Sequence, residues 1–130
     1  MHLKFSNPTT VAQPDGHFSQ AVEIPANARL LFISGQVPRS LDGRTVGIND
    51  MRAQAEQVFK NLELILQAHG MSFERVVKAT IFVTDMSLAS EVVAVRERFY
   101  GKHKPASTFV AVTALGDPHW MLEVELIAAA

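Results

Sequence analysis

Two carboxylates, Glu123 and Glu125, stand two residues apart in the run Leu122-Glu123-Val124-Glu125-Leu126-Ile127-Ala128. On a strand that spacing sends both side chains to one face. Burial on such a face moves a carboxyl toward the range where it can orient or deprotonate water. A solvated or ion-paired strand face is the more ordinary outcome for this pattern. Ser107 and Thr108 open a second apolar run, and their hydroxyls can bind a ligand or hold water. Hydroxyls at strand starts are also common without function. No Gly-x-Ser-x-Gly elbow surrounds either residue, which argues against a serine nucleophile. The five histidines, His2, His17, His69, His103 and His119, show no His-Glu-x-x-His spacing, and no metal site is expected. The absence of cysteine removes thiol nucleophiles, disulfides and cysteine-ligated zinc. Gly35-Gln36 lacks the further glycines of a phosphate or dinucleotide loop. Trp120 can stack on a ligand, although a core or interface anchor is the commoner use of such a residue.

These residues need strands and helices to hold them. Residues 3–6 suggest a short edge strand, and the Pro/Gly-containing stretch 7–16 suggests a loop. Residues 18–24 and 29–34 read as strands, the second nearly continuous in apolar side chains. Asp42-Gly43 marks a turn in the loop 39–48. A long helix follows, with Asn49 as its N-cap and Met51, Ala55, Val58, Phe59, Leu62, Ile65 and Leu66 as its apolar stripe, stopped at Gly70. Val76 to Val83 alternates as a strand, with Val77, Ala79, Ile81 and Val83 on one side. A second helix, capped by Asp85 or Ser87, carries Leu88, Val92, Val95 and Phe99 as its stripe. Two closing strands are expected over 107–113 and 120–128.

This order predicts an α+β domain over residues 1–130: a mixed sheet of about six strands with both helices on one face. The strand–helix–strand step around the second helix requires at least one parallel pair. The opposite sheet face would mix Val76, Phe82, Phe109 and Ile127 with Lys78, Thr80, Glu123 and Glu125. A half-apolar uncovered face wants a partner, and a copy of the same chain is the simplest one. The net charge of −1 provides no basic footprint for nucleic acid. No apolar run is long enough for a membrane span, and no signal-peptide core opens the chain, so a cytoplasmic location is the expectation.

Several motifs, in order along nearly the whole chain, resemble the Rid family, also called YjgF or endoribonuclease L-PSP. Gly16-His17-Phe18-Ser19-Gln20 is similar to its Gly-Pro-Tyr-Ser-Gln segment. Ser34-Gly35-Gln36-Val37-Pro38 resembles its Ser-Gly-Gln-hydrophobic-Pro signature. Val77-Lys78-Ala79-Thr80-Ile81-Phe82-Val83-Thr84-Asp85 resembles its Val-Lys-Thr-Thr-Val-Phe-Leu-x-Asp run, and Pro105-Ala106 with Leu122–Ala128 resembles its C-terminal signature.

The resemblance implies a two-layer chorismate-mutase-like fold, a homotrimer, and small-molecule clefts between subunits. It implies hydrolysis of reactive enamines and imines to carbonyl compounds and ammonia, without a cofactor. It also implies Glu123 as the catalytic residue that positions water, with Phe18, Ser34, Gly35, Ala106, Ser107 and Thr108 around the substrate. The departures bear on that expectation. The family's substrate-carboxylate arginine, directly after Pro-Ala, is here Ser107; its tyrosine is Phe18; and an asparagine of the second helix is Val93. A charge-assisted hydrogen bond is worth roughly 1.5–3 kcal/mol, so losing the arginine should weaken handling of a small carboxylated imine. The substrate would then be neutral, or held by Arg96, Arg98 or Arg39 of some subunit. A non-catalytic metabolite-binding trimer is the alternative, and ribonuclease activity, suggested by the older family name, is disfavoured by the charge.

Overall fold

The computed structural model describes residues 2–130. Six strands form: β1 (Lys4–Ser6), β2 (Ala21–Glu23), β3 (Leu30–Gln36), β4 (Val76–Val83), β5 (Ala106–Ala111) and β6 (Leu122–Ala129). Two helices, α1 (Met51–Ala68) and α2 (Ala89–Tyr100), complete the chain. The strands divide into a four-stranded sheet, ordered β3-β6-β4-β5, and a separate β1-β2 hairpin. Within the larger sheet β4 and β5 are parallel around α2, and the other pairs are antiparallel. The predicted α+β architecture therefore stands, with its six strands split four and two. A bridge from Ser19 to Ala106 ties the segment before β2 to the β5 edge.

The α1 stripe buries Met51, Ala55, Val58, Phe59, Leu62 and Leu66 against the sheet. Its N-cap is Asp50, whose carboxylate accepts from the Ala53 amide at 3.1 Å. Asn49 instead takes a left-handed conformation (φ 62), which asparagine tolerates better than most residues. Asp85 caps a short 3-10 turn, Met86–Leu88, through the Ser87 amide, and α2 begins only after it. The α2 stripe also differs from expectation. Besides Val92 and Val95 it buries Arg96 and Tyr100, a charged and a hydroxylated side chain.

Sheet faces follow the register. Ala79, Ile81 and Val83 point to the helices with Leu122, Val124 and Leu126. Two predicted positions change sides. The register shifts between Val76 and Lys78, and the irregularity turns Val76 into the core rather than away from it. Phe109 pairs with Ile81, not with Phe82, so it too packs on the helix side. Phe82 and Ile127 do lie on the opposite face, where Leu30 and Phe32 join them; Phe32 is 70% exposed.

Candidate functional site

Glu123 sits on the open face of β6, directly beside Phe82 of β4. Its side chain lies across the backbone of Gly35 at the end of β3, so closely that a methyl group there would fall 2.8 Å from the Glu123 Cδ. The Gly35 backbone is not left-handed, so what glycine provides here is space: any side chain at 35 would have to displace the Glu123 carboxylate. No salt bridge among the described residues involves Glu123. The carboxylate remains available for a ligand or water. Ser34 is exposed beside it, and beyond Gly35 a depression of about 660 Å³ runs past Arg39, Gln57 and Asn61.

The strand bearing Glu123 is set by a residue not singled out from its sequence. Gln54 of α1 is fully buried; it donates to the Gly47 carbonyl (3.1 Å) and the His119 carbonyl (2.7 Å), and accepts from the Met121 amide (2.8 Å). One amide side chain therefore fixes the loop before α1 and the start of β6, two residues from Glu123. Nothing in a helical periodicity distinguishes such a buried glutamine from a surface one. Trp120 donates to Thr45 Oγ1 at 3.1 Å and packs over Gly116, which makes it an anchor of the same loops.

The other implied contacts gather at the β5 edge. Ser19 donates from its amide to the Pro105 carbonyl (3.1 Å) and from its hydroxyl to the Lys104 carbonyl (2.6 Å), which lays the Phe18–Ser19 segment beside Ala106. His17 Nε2 lies 3.0 Å from the His103 carbonyl, and His103 Nε2 lies 2.6 Å from the Val76 carbonyl. Burial lowers the His103 pKa, opposed by that Val76 contact. Thr108 is on the open face, where its hydroxyl is 2.7 Å from Lys78 Nζ. Ser107, pairing with Ala79, is on the helix side, and its hydroxyl is buried without a hydrogen-bond partner among the described residues.

Within one chain, then, the residues form two groups at opposite edges of the sheet. Ser34, Gly35 and Glu123 lie at the β3–β6 edge; Phe18, Ala106 and Ser107 lie at the β5 edge, with β4 between. Of the three arginines considered for an acid group, Arg98 pairs with Glu56 at 3.0 Å and Arg39 is exposed, donating to the Gly43 carbonyl. Arg96 alone is buried, stacked 5.8 Å from the centre of the Tyr100 ring. Burial pushes the Tyr100 phenol above its usual pKa, and the Arg96 charge opposes that shift.

The sequence profile described as Endoribonuclease L-PSP matches residues 9–130. The chain belongs to the endoribonuclease L-PSP family. Among relatives of this family, DfrA of Myxococcus xanthus is 41% identical over 102 residues, 77% of this chain and 76% of that protein. The Rid-family protein YyfB of Yersinia pestis matches over all of both chains, with a TM-score of 0.89 and 32% identity. Yeast Mmf1 matches over 98% of each chain, with a TM-score of 0.72 and 32% identity. These similarities establish the endoribonuclease L-PSP family, with its Rid and YjgF members, and its α+β fold for this chain. No helix among the described residues is long and apolar enough to cross a membrane.

Proposed function

We propose that this endoribonuclease L-PSP family chain works as a homotrimer that hydrolyses small enamines or imines in clefts between subunits. The observation that carries the reading is the split of the candidate site between opposite sheet edges. Gly35 and Glu123 at one edge cannot meet Phe18 and Ala106 at the other within one chain, whereas neighbouring copies arranged edge to edge would join them. The open sheet face supports the same assembly. It carries exposed Leu30, Phe32 and Val110, a set that burial against other copies would stabilise.

In the cleft, Glu123 orients a water and takes its proton as the oxygen adds to the imine carbon. Glu123 returns that proton to the nitrogen, and the resulting carbinolamine expels ammonia as its hydroxyl proton passes through Glu123 to the nitrogen, leaving a carbonyl compound. Glu123 suits this role because its carboxylate is held against Gly35 and engaged in no salt bridge among the described residues. The chemistry requires no cofactor. The test is ammonia release from freshly generated imines, acidic and neutral, with the wild-type protein and with Glu123→Gln. Acceleration that disappears in Glu123→Gln supports the reading. No acceleration for either class of imine removes it and leaves a ligand-binding trimer, which thermal-shift screening against small metabolites would then reveal.

A further inference from the structure

A hairpin arm walls one side of the depression that begins at Gly35. Residues 38–46 fold back on themselves. The Ser40 amide donates to the Arg44 carbonyl (2.9 Å), the Val46 amide donates to the Pro38 carbonyl (2.8 Å), and Arg39 bridges Thr45. Two side chains of α1 tie the arm down: Asn61 Nδ2 donates to the Arg39 carbonyl at 2.9 Å, and Gln57 Nε2 donates to Asn61 Oδ1 at 2.8 Å. The space between arm and helix is therefore formed before any ligand arrives. At about 660 Å³ it has the size of a small-molecule site.

Its lining has two characters. Val37, Leu41 and Leu64 are apolar; Leu41, at the tip of the arm, is fully exposed, and Leu64 is 51% exposed, so this chain covers neither. Arg39 is the charged side chain of the lining. Its Nε donates to the Gly43 carbonyl at 3.1 Å, which lays the guanidinium along the arm, and it enters no salt bridge among the described residues. A guanidinium fixed at Nε still presents its two terminal nitrogens to a carboxylate. Gly35 belongs both to this lining and to the Glu123 contact. Arg39 follows four residues later, a stretch of chain that spans at most about 14 Å. A ligand of several carbons bridges such a separation.

We infer that this depression is a subsite for the far end of the substrate, in which Arg39 holds an acid group several carbons away from the imine carbon. Val37, Leu41 and Leu64 pack on the methylenes between the two ends. The inference rests on the hydrolase reading, which places the reacting carbon at Glu123, and it names the substrate class of that site: imines of longer oxo acids, hydrolysed to the oxo acid and ammonia. Ser107 at the β5 edge is directed toward the helices, so an acid group adjacent to the imine carbon meets no arginine at that position. Both ends of the site thus favour a chain with a remote acid over a short imino acid.

Titration calorimetry of the full chain with sodium levulinate, whose carboxylate stands two methylenes from its ketone, and with sodium pyruvate tests this. Wild type should bind levulinate at least fivefold more tightly than pyruvate. Arg39→Gln should weaken levulinate binding at least fivefold and leave the weaker pyruvate affinity unchanged, a split that a general distortion of the arm would not produce. Leu64→Glu, on the helix wall, should weaken levulinate binding by repelling its carboxylate, and it decides the question should Arg39→Gln disturb the arm. Binding is read without turnover, so a failure of imine hydrolysis removes the hydrolase reading and leaves the Arg39 subsite standing. Levulinate binding that is absent from wild type, matched by pyruvate, or unchanged in Arg39→Gln overturns the inference even where hydrolysis is observed.

Discussion

The Glu123 carboxylate rests against the bare backbone of Gly35, where any Cβ would overlap it. This contact joins β3 to β6 on the open face and holds the only acidic side chain implied in the chemistry. The two residues are 88 positions apart in sequence, and the bulged pairing between Ile33 and Gln36 is what brings them together.

Gly35→Ala should therefore displace Glu123 without unfolding the domain. The clashing atoms are the end of a flexible side chain, so the stability cost should stay below about 1 kcal/mol. The proposed imine hydrolysis should fall at least tenfold, approaching the level of Glu123→Gln. Urea denaturation together with the ammonia-release assay checks both parts. Unchanged activity in Gly35→Ala would show that the carboxylate position is immaterial.

Gln54→Leu should be strongly destabilising despite being close in volume and apolar. It leaves the Gly47 and His119 carbonyls and the Met121 amide without their partner. Buried unpaired groups cost about 1–3 kcal/mol each, so a total loss of roughly 2–5 kcal/mol is expected, allowing for relaxation and water entry. Equilibrium denaturation measures it, and a loss under 1 kcal/mol would contradict the bonding assigned to Gln54.

Phe32→Asp should convert the proposed trimer into monomers. Phe32 projects from the open sheet face at 70% exposure and makes no contribution to the buried core, so the fold of one chain should survive. Sedimentation velocity on wild type and variant gives the answer. A variant that remains trimeric would mean that this face is not the assembly surface.

Stability should fall as the medium is acidified through the histidine range. Burial depresses the folded-state pKa of His103 below the unfolded value of 6.5, mainly by desolvation and against the pull of the Val76 carbonyl. Between those two values the unfolded chain binds a proton that the folded chain does not, so unfolding is favoured as pH drops. The His103 contribution is complete above 6.5 and is lost below it. Denaturation midpoints measured from pH 7.5 to 5 should decline more steeply for wild type than for His103→Gln. Equal slopes would assign the dependence to other groups.

The amino-acid sequence by itself determined the elements and their order. The α1 stripe from Met51 to Leu66, the alternation of β4 from Ala79 to Val83, and the parallel pair around α2 all follow from periodicity and chain connectivity. It also identified the family through motifs such as Ser34-Gly35-Gln36, which the profile match over 9–130 bears out. Periodicity failed where register breaks. Val76 turned inward at a bulge, and Phe109 followed its partner Ile81 into the core, because a one-residue change in pairing exchanges sheet faces. Only the tertiary structure separated Ser107 from Glu123. They lie on opposite faces of one sheet, on strands flanking β4 and three residues apart along it, so about 14 Å separates their backbones. It likewise buried Arg96, which helical spacing treats as one more polar residue beside Val95. Local pattern encodes which face of an element is apolar, whereas the meeting of distant side chains depends on strand register and on how the helix layer seats against the sheet.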